Sequence, residues 1–236
     1  MSASDLPLFV AQPFFFFFYV VGDANREAWQ AVHSWPAWPD GAMAIMGPIG
    51  SGKTYLARLW AQLAGAHWLD GGARAAGLKP QTLSMWSQSA HRHWVIDDCD
   101  QSDIGVLFDF FNLAREKPGM ILLTMARHPD DWAQASPDLL SRLRAIPKFA
   151  ILLPGEAMLV DLLKAFAAQA GLLMATQVAS YAAPRIGRTF QAARQCVQAC
   201  QDAVPAGETR IGLSTMRQVL QSVDFGDTHL EGHSPK

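Results

Sequence analysis

A three-layer α/β domain on a parallel sheet, followed by a small all-helical domain, is the fold class the sequence predicts. Three observations lead there. Short apolar runs alternate with helical patterns up to about residue 154, a glycine-rich loop joins one such run to a helix, and from Glu156 onward only helical spacing remains.

The elements follow in order. Residues 1–18 form an apolar, aromatic arm with prolines at 7 and 13 and the run Phe14 to Phe18. That run has no basic flank or small-residue cleavage site, and it ends at Gly22-Asp23, far short of the roughly 20 residues that span a bilayer. Asn25 to Ser34 reads as a helix capped near Asp23, and Trp35 to Gly41 as a proline-rich loop. Ala42 to Met46 is the first core strand, and a helix runs from the glycine-rich loop to about Ala64. A short strand fits His67 to Leu69, and a helix or loop fits Lys79 to Ser89. Further strands are expected at His93 to Asp97, Met120 to Met125 and Phe149 to Leu153, with a helix over Val106 to Arg115. Pro154-Gly155 marks the change of character. Helices are expected at 156–170, about 176–183, 189–203 and 214–222, and the tail from 224 is polar. The expected division is therefore an arm at 1–18, an α/β domain at 19–154, a helical domain at 155–223 and a tail at 224–236.

The chemistry lies in Gly47-Pro48-Ile49-Gly50-Ser51-Gly52-Lys53-Thr54, placed between an apolar strand and a helix. That is the context of a phosphate-binding loop. Its glycines let backbone amides gather around phosphate oxygens, and the helix adds its positive N-terminal end. Lys53 would reach the β- and γ-phosphates, and the Thr54 hydroxyl would be a ligand to Mg²⁺. The ligand is a nucleoside triphosphate or diphosphate. The strand ending Val95-Ile96-Asp97-Asp98 delivers carboxylates to the same sheet edge, where Asp97 would hold Mg²⁺ and Asp98 would polarise the attacking water. Thr124, ending the strand MILLTM, could orient water beside the γ-phosphate. Arg142, between the last two strands, could project toward a neighbouring subunit.

Bulk numbers narrow the partners. The chain has 236 residues, half of them apolar, and a formal net charge of −2 from 19 basic and 21 acidic residues. That balance argues against strong non-specific binding to nucleic acid. Three cysteines provide no disulfide framework and no zinc spacing; Cys196 and Cys200, on one helix face, read as small buried hydrophobes. The expected location is the cytoplasm, off the membrane.

The phosphate loop, the strand ending in two aspartates, the polar residue on the next strand, Ser141-Arg142-Leu143 and the helical lid together resemble the AAA+ ATPases, and within them the bacterial DnaA family. Tyr19-Val20-Val21-Gly22 followed by Asn25 and Ala28 is similar to the box that lines adenine in that family. The resemblance implies that Val20, Val21 and Asn25 lie near the base. Arg188, in Ile-Gly-Arg-Thr-Phe, resembles the sensor 2 arginine that contacts phosphate. Ser141-Arg142 resembles box VII, whose arginine acts on a neighbour's ATP.

The chain ends after the lid, without the helix-turn-helix domain an initiator carries, so it resembles the family's short homologues of the Hda type, and their alphaproteobacterial form in particular. That resemblance implies no sequence-specific DNA binding of its own. Instead it implies two partners, the DnaA initiator and the DNA polymerase III sliding clamp (its β subunit). The clamp would be met through Asp5-Leu6-Pro7-Leu8-Phe9, where Ala3 and Ser4 replace the glutamine and first leucine of the usual peptide. The implied function is to repress re-initiation of replication by stimulating hydrolysis of initiator-bound ATP, with weak or no turnover by the chain itself. The expected cofactors are ADP or ATP with Mg²⁺. Whether the chain forms a homodimer or acts only in a mixed complex is left open. The alternative is an autonomous AAA+ ATPase acting as a helicase loader or replication motor. A small-molecule kinase is disfavoured by the all-helical C-terminal part.

Overall fold

The computed structural model describes residues 19–38, 41–71, 92–114, 119–132 and 135–225. The expected clamp peptide at 5–9, the run Phe14 to Phe18, the segment Lys79 to Ser89 and the tail from 226 lie outside the described residues. Chain contacts divide the structure into two units, Asn25–Leu152 and residues 19–24 with 153–225.

The first unit is a five-stranded, all-parallel sheet. Its strands are β1 (Ala42–Met46), β2 (His67–Asp70), β3 (His93–Asp97), β4 (Met120–Met125) and β5 (Lys148–Ala150), in the order β2-β3-β4-β1-β5. Chain order reverses around β1, which carries the phosphate loop at its end. In open parallel sheets such a reversal leaves a crevice at the strands' C-terminal edge.

Alternate strand residues face opposite layers. Ala42, Ala44, Trp94, Ile96, Ile121, Leu123 and Met125 pack with residues of α3 (Ile104–Ala114) and α4 (Pro137–Ala145) into one buried cluster. The other face buries Met43, Ile45, Val95 and Leu122. Here lie α1 (Arg26–His33), against β5, and α2 (Lys53–Ala64), against β3 and β4. Trp60 of α2 is 1% exposed and stacks on Trp38 at 4.8 Å.

Local chemistry sets the ends. Ser136 caps α4 by accepting from the Leu139 amide, with Pro137 in the first turn. The α2 helix stops at Gly65, which is left-handed at φ 62°. The first helix has its N-cap at Asn25, two residues later than the expected cap near Asp23, and the Asn25 side chain makes no capping bond. The last strand covers Lys148–Ala150 rather than 149–153. The Ile151 amide, donating to Met46 O at 2.7 Å, continues its pairing one residue past Ala150.

The second unit contains α5 (Glu156–Gln169), α6 (Thr176–Ala182), α7 (Phe190–Ala203) and α8 (Leu213–Ser222). Its core is rich in small side chains, among them Ala165, Ala167, Ala179, Ala182, Ala192 and Ala193. Such residues allow close helix approach. Cys196 and Cys200 are buried in the same core, and Cys99 is buried in the sheet unit. Unexpectedly, two short strands pair in parallel, β6 (Leu173–Met174) with β7 (Arg210–Ile211). Two-residue strands are too short to show alternation, so a helical reading of this region passes over them. Among the described residues, no helix is long and apolar enough to cross a membrane.

Candidate nucleotide-binding site

The phosphate loop leaves β1 at Gly47, whose amide donates to Met125 O at 3.2 Å. A Cβ at Gly47 would stand 2.2 Å from Ile151 O, so only glycine permits this approach. Gly50 and Gly52 are left-handed at φ 80° and 97°, and they turn the chain so that α2 begins at Lys53. The first amides of a helix lack intrahelical partners and face outward along its axis. Ser51 is buried between these glycines, and its hydroxyl has no partner among the described residues. An orphaned hydroxyl and outward amides fit an anion's oxygens. The Pro48 carbonyl accepts from the Ser51 amide at 3.2 Å, closing the turn, and Ile49 at its tip is 84% exposed.

Lys53 folds back over the loop. Its Nζ donates to Gly47 O at 2.8 Å and Pro48 O at 3.1 Å. Burial lowers its pKa, opposed by the charges of Asp98, Asp100 and Asp97. A phosphate arriving here would take over bonds that the lysine now makes to its own backbone.

Three sequence-predicted residues converge at the ends of β3 and β4. Asp97 Oδ1 accepts from the Thr54 hydroxyl at 3.1 Å and from the Thr124 hydroxyl at 2.5 Å. The Thr124 oxygen in turn accepts from the Asp98 amide at 2.8 Å. Burial raises the pKa of Asp97, partly offset by these two hydroxyls and the charge of Arg58, while Asp70 adds to the rise. Burial also raises Asp98, as does the neighbouring Asp97 charge. Asp98 is left-handed at φ 49°, unique among the described non-glycine residues. The hydroxyl of Thr54 and carboxylate of Asp97 are hard oxygen donors, one from each element, and that donor set suits Mg²⁺.

Arg142 lies on α4, and it does not project freely. Its Nη2 and Nε donate to Asp138 Oδ2 and Oδ1 at 2.9 and 3.4 Å, and its Nη1 donates to Asn112 Oδ1 at 2.8 Å. The guanidinium also sits over Phe108, 5.1 Å from the ring centre, and the side chain is 22% exposed. Phe108 and Asn112 are one turn apart on α3, and Asp138 and Arg142 one turn apart on α4. Of the five N–H groups of a guanidinium, three are engaged among the described residues, leaving one on each terminal nitrogen.

The remaining predicted residues are buried or belong to the second unit. Asn25 opens α1 and is 1% exposed. Val20 and Val21 are buried, with Val20 in the core cluster around Met158 and Leu159. Arg188 is exposed, and its Nε donates to Pro154 O at 3.2 Å. Sequence reading passed over Asp100, Arg127 and the three residues that hold Arg142. Asp100 carried one signal, a third acid three residues after Asp97.

No family model and no curated protein matches the chain. Solved structures do. Domain III of the Thermotoga maritima replication initiation protein DnaA aligns with a TM-score of 0.69 at 16% identity, over 86% of this chain and 93% of that one. A DnaA bound to AMPPCP and single-stranded DNA aligns with a TM-score of 0.60 at 18% identity, over 76% and 62%. The Thermotoga maritima RuvB Holliday junction branch migration motor aligns with a TM-score of 0.66 at 17% identity, over 85% and 69%. At these identities the likeness is one of fold. The chain has the AAA+ P-loop fold, with a five-stranded parallel sheet and a mainly helical second unit.

Proposed function

We propose that this chain is a nucleotide-binding regulator of the DnaA type, which limits re-initiation of replication by promoting hydrolysis of ATP on the initiator. The observation that supports it best is the state of Arg142, anchored by Asp138, Asn112 and Phe108 with two N–H groups left over. A guanidinium so held keeps its charge and orientation while offering a fork to a phosphate outside its own domain. An arginine supplied in trans contributes about 10³–10⁵ in rate.

In this reading the chain's own site holds ADP or ATP as a switch. Lys53 and the loop amides take the phosphates, and Thr54 with Asp97 holds Mg²⁺. The bound ion would supply positive charge to the phosphate oxygens. Asp98, whose pKa is raised by burial, is suited to accept a proton from water, and Thr124 fixes the turn that carries it. Val20, Val21 and Asn25 would lie near the base and Arg188 near the phosphates. Residues 5–9 would engage the sliding clamp, bringing the regulator to initiator near replicating DNA.

The test is reconstitution with ATP-bound initiator and DNA-loaded clamp. Arg142→Ala should retain ADP binding and partner binding while stimulated hydrolysis falls to the unstimulated level. Normal stimulation by that variant sinks the proposal.

A second reading, an autonomous motor or helicase loader, is favoured by the complete set Lys53, Thr54, Asp97, Asp98 and Thr124 at one sheet edge. It requires substantial turnover by the isolated chain, increased by single-stranded DNA. Negligible turnover under both conditions rejects it.

A further inference from the structure

The regular ladder between β3 and β4 ends at Ile96 and Leu123. The two chains nevertheless stay joined past that point. Thr124 bonds to Asp97 and to the Asp98 amide, as described, and a further connection follows at Asp100. Its carboxylate accepts from the Ala126 amide at 3.2 Å and from the Arg127 amide and Nε, each at 3.3 Å. Gln101 Nε2 adds a 3.4 Å bond to the same carboxylate, and Arg127 Nη2 donates to the Asp100 carbonyl. The Asp100 side chain is 1% exposed and that of Arg127 is 53% exposed.

The segment held this way has a second attachment. Met125 O, one peptide before Ala126, accepts from the amide of Gly47, the first residue of the phosphate loop. Residues 125–127 therefore bridge the two halves of the site. On one side they hold the base of the phosphate loop. On the other they hold the turn that carries Asp97 and Asp98.

We propose that Asp100 is a positioning residue that fixes the magnesium-side turn against the phosphate loop, so that binding of nucleotide and of magnesium are coupled through it. This rests on reading the site as one for a magnesium-bound nucleotide. Asp100 acts through the amides of 126 and 127. A carboxylate suits that task because both its oxygens face donors: Oδ1 serves Ala126, and Oδ2 serves Arg127 twice. An asparagine of the same shape sets an NH₂ group against at least one of those donors and removes the counter-charge of Arg127. The Asp100 side chain is buried, so a donor set against an amide there is not relieved by water, whereas the half-exposed Arg127 can still be hydrated.

The experiment uses the full chain and titrates N-methylanthraniloyl-ADP with Mg²⁺ or with EDTA, for wild type, Asp100→Asn, Asp100→Glu and Arg127→Met. Amide exchange at Ala126 and Arg127 is followed in parallel. Affinity in EDTA should change little in every variant. The gain in affinity on adding magnesium should fall by about fivefold or more in Asp100→Asn, a coupling typical of residues in one network. It should fall less in Arg127→Met and recover in part in Asp100→Glu. The two amides should exchange faster in Asp100→Asn. A magnesium gain unchanged in Asp100→Asn overturns the proposal, and so does an equal loss with and without magnesium, which marks a merely structural role. If Asp100→Asn does not fold, Arg127→Met decides, since its half-exposed side chain tolerates replacement, and an unchanged gain there is equally fatal. A wild-type chain with no magnesium gain overturns the reading of the site itself, an outcome distinct from a normal gain that the variants leave intact.

Discussion

Around Asp97, two hydroxyls turn their only protons to one carboxylate oxygen, whereas around Arg142 three N–H groups are engaged and two remain. The first cluster is buried and closed on itself, and Lys53 beside it is likewise bonded to its own loop. A ligand must replace those internal bonds, so binding there reorganises the chain. The second cluster is anchored before anything arrives, so a phosphate would meet a guanidinium already oriented. The difference separates a site built to respond from a group built to act, and each half of it can be attacked by mutation.

The largest effect is expected at Lys53. Lys53→Ala should weaken ADP binding about 100-fold, the value of one strong charge-assisted bond, as measured by calorimetric titration. Affinity within a few-fold of wild type would mean that the closed cluster is not the nucleotide site. Next comes Thr124→Val, which leaves the Asp98 amide without its acceptor and deprives Asp97 of its short bond. A loss of about 2 kcal/mol in urea unfolding is expected. No measurable loss would show that this network is not holding the turn.

Protonation offers a third test. Burial sets the folded pKa of Asp97 above its unfolded value, so the folded chain holds that proton more tightly. The favourable contribution is present in acid and is lost as pH rises from the ordinary carboxylate range through the raised value. Asp97→Asn does not ionise, so its stability relative to wild type should increase from acid toward neutral pH in the absence of magnesium. A difference that is flat across that window contradicts the closed, buried state of the carboxylate. The smallest effect belongs to the open cluster. Asp138→Asn removes a surface pair one helical turn long and should change stability by less than about 0.5 kcal/mol. Stimulated hydrolysis should also fall far less than with Arg142→Ala. Equal damage by both would show that Asp138 does more than anchor.

Legibility in the sequence followed the same line. The strands at 42–46, 93–97 and 120–125 could be read because each has a buried apolar centre: AMAIM is apolar throughout, WVI lies between His93 and Asp97, and MILL precedes Thr124. The junction of Thr54, Asp97 and Thr124 was legible too, because parallel topology brings strand ends and the phosphate loop to one edge whatever the details. What escaped depends on pairings that spacing does not encode. Asp100 resembles its acidic neighbours in the sequence, and only the amides of Ala126 and Arg127 distinguish it. The anchor of Arg142 lies thirty residues earlier at Asn112, on a helix whose pattern reports only its buried face. The β6–β7 ladder was too short to leave a period.

The burial of Cys99, Cys196 and Cys200 has a practical consequence. Sealed thiols react slowly with maleimides and methanethiosulfonates while the chain stays folded. A single cysteine introduced on the surface of each unit, for instance at Leu63 and Asp202, can then carry a spin or fluorescent label with the native cysteines left in place. The response of the two units to nucleotide becomes a distance that can be measured on an otherwise unaltered protein.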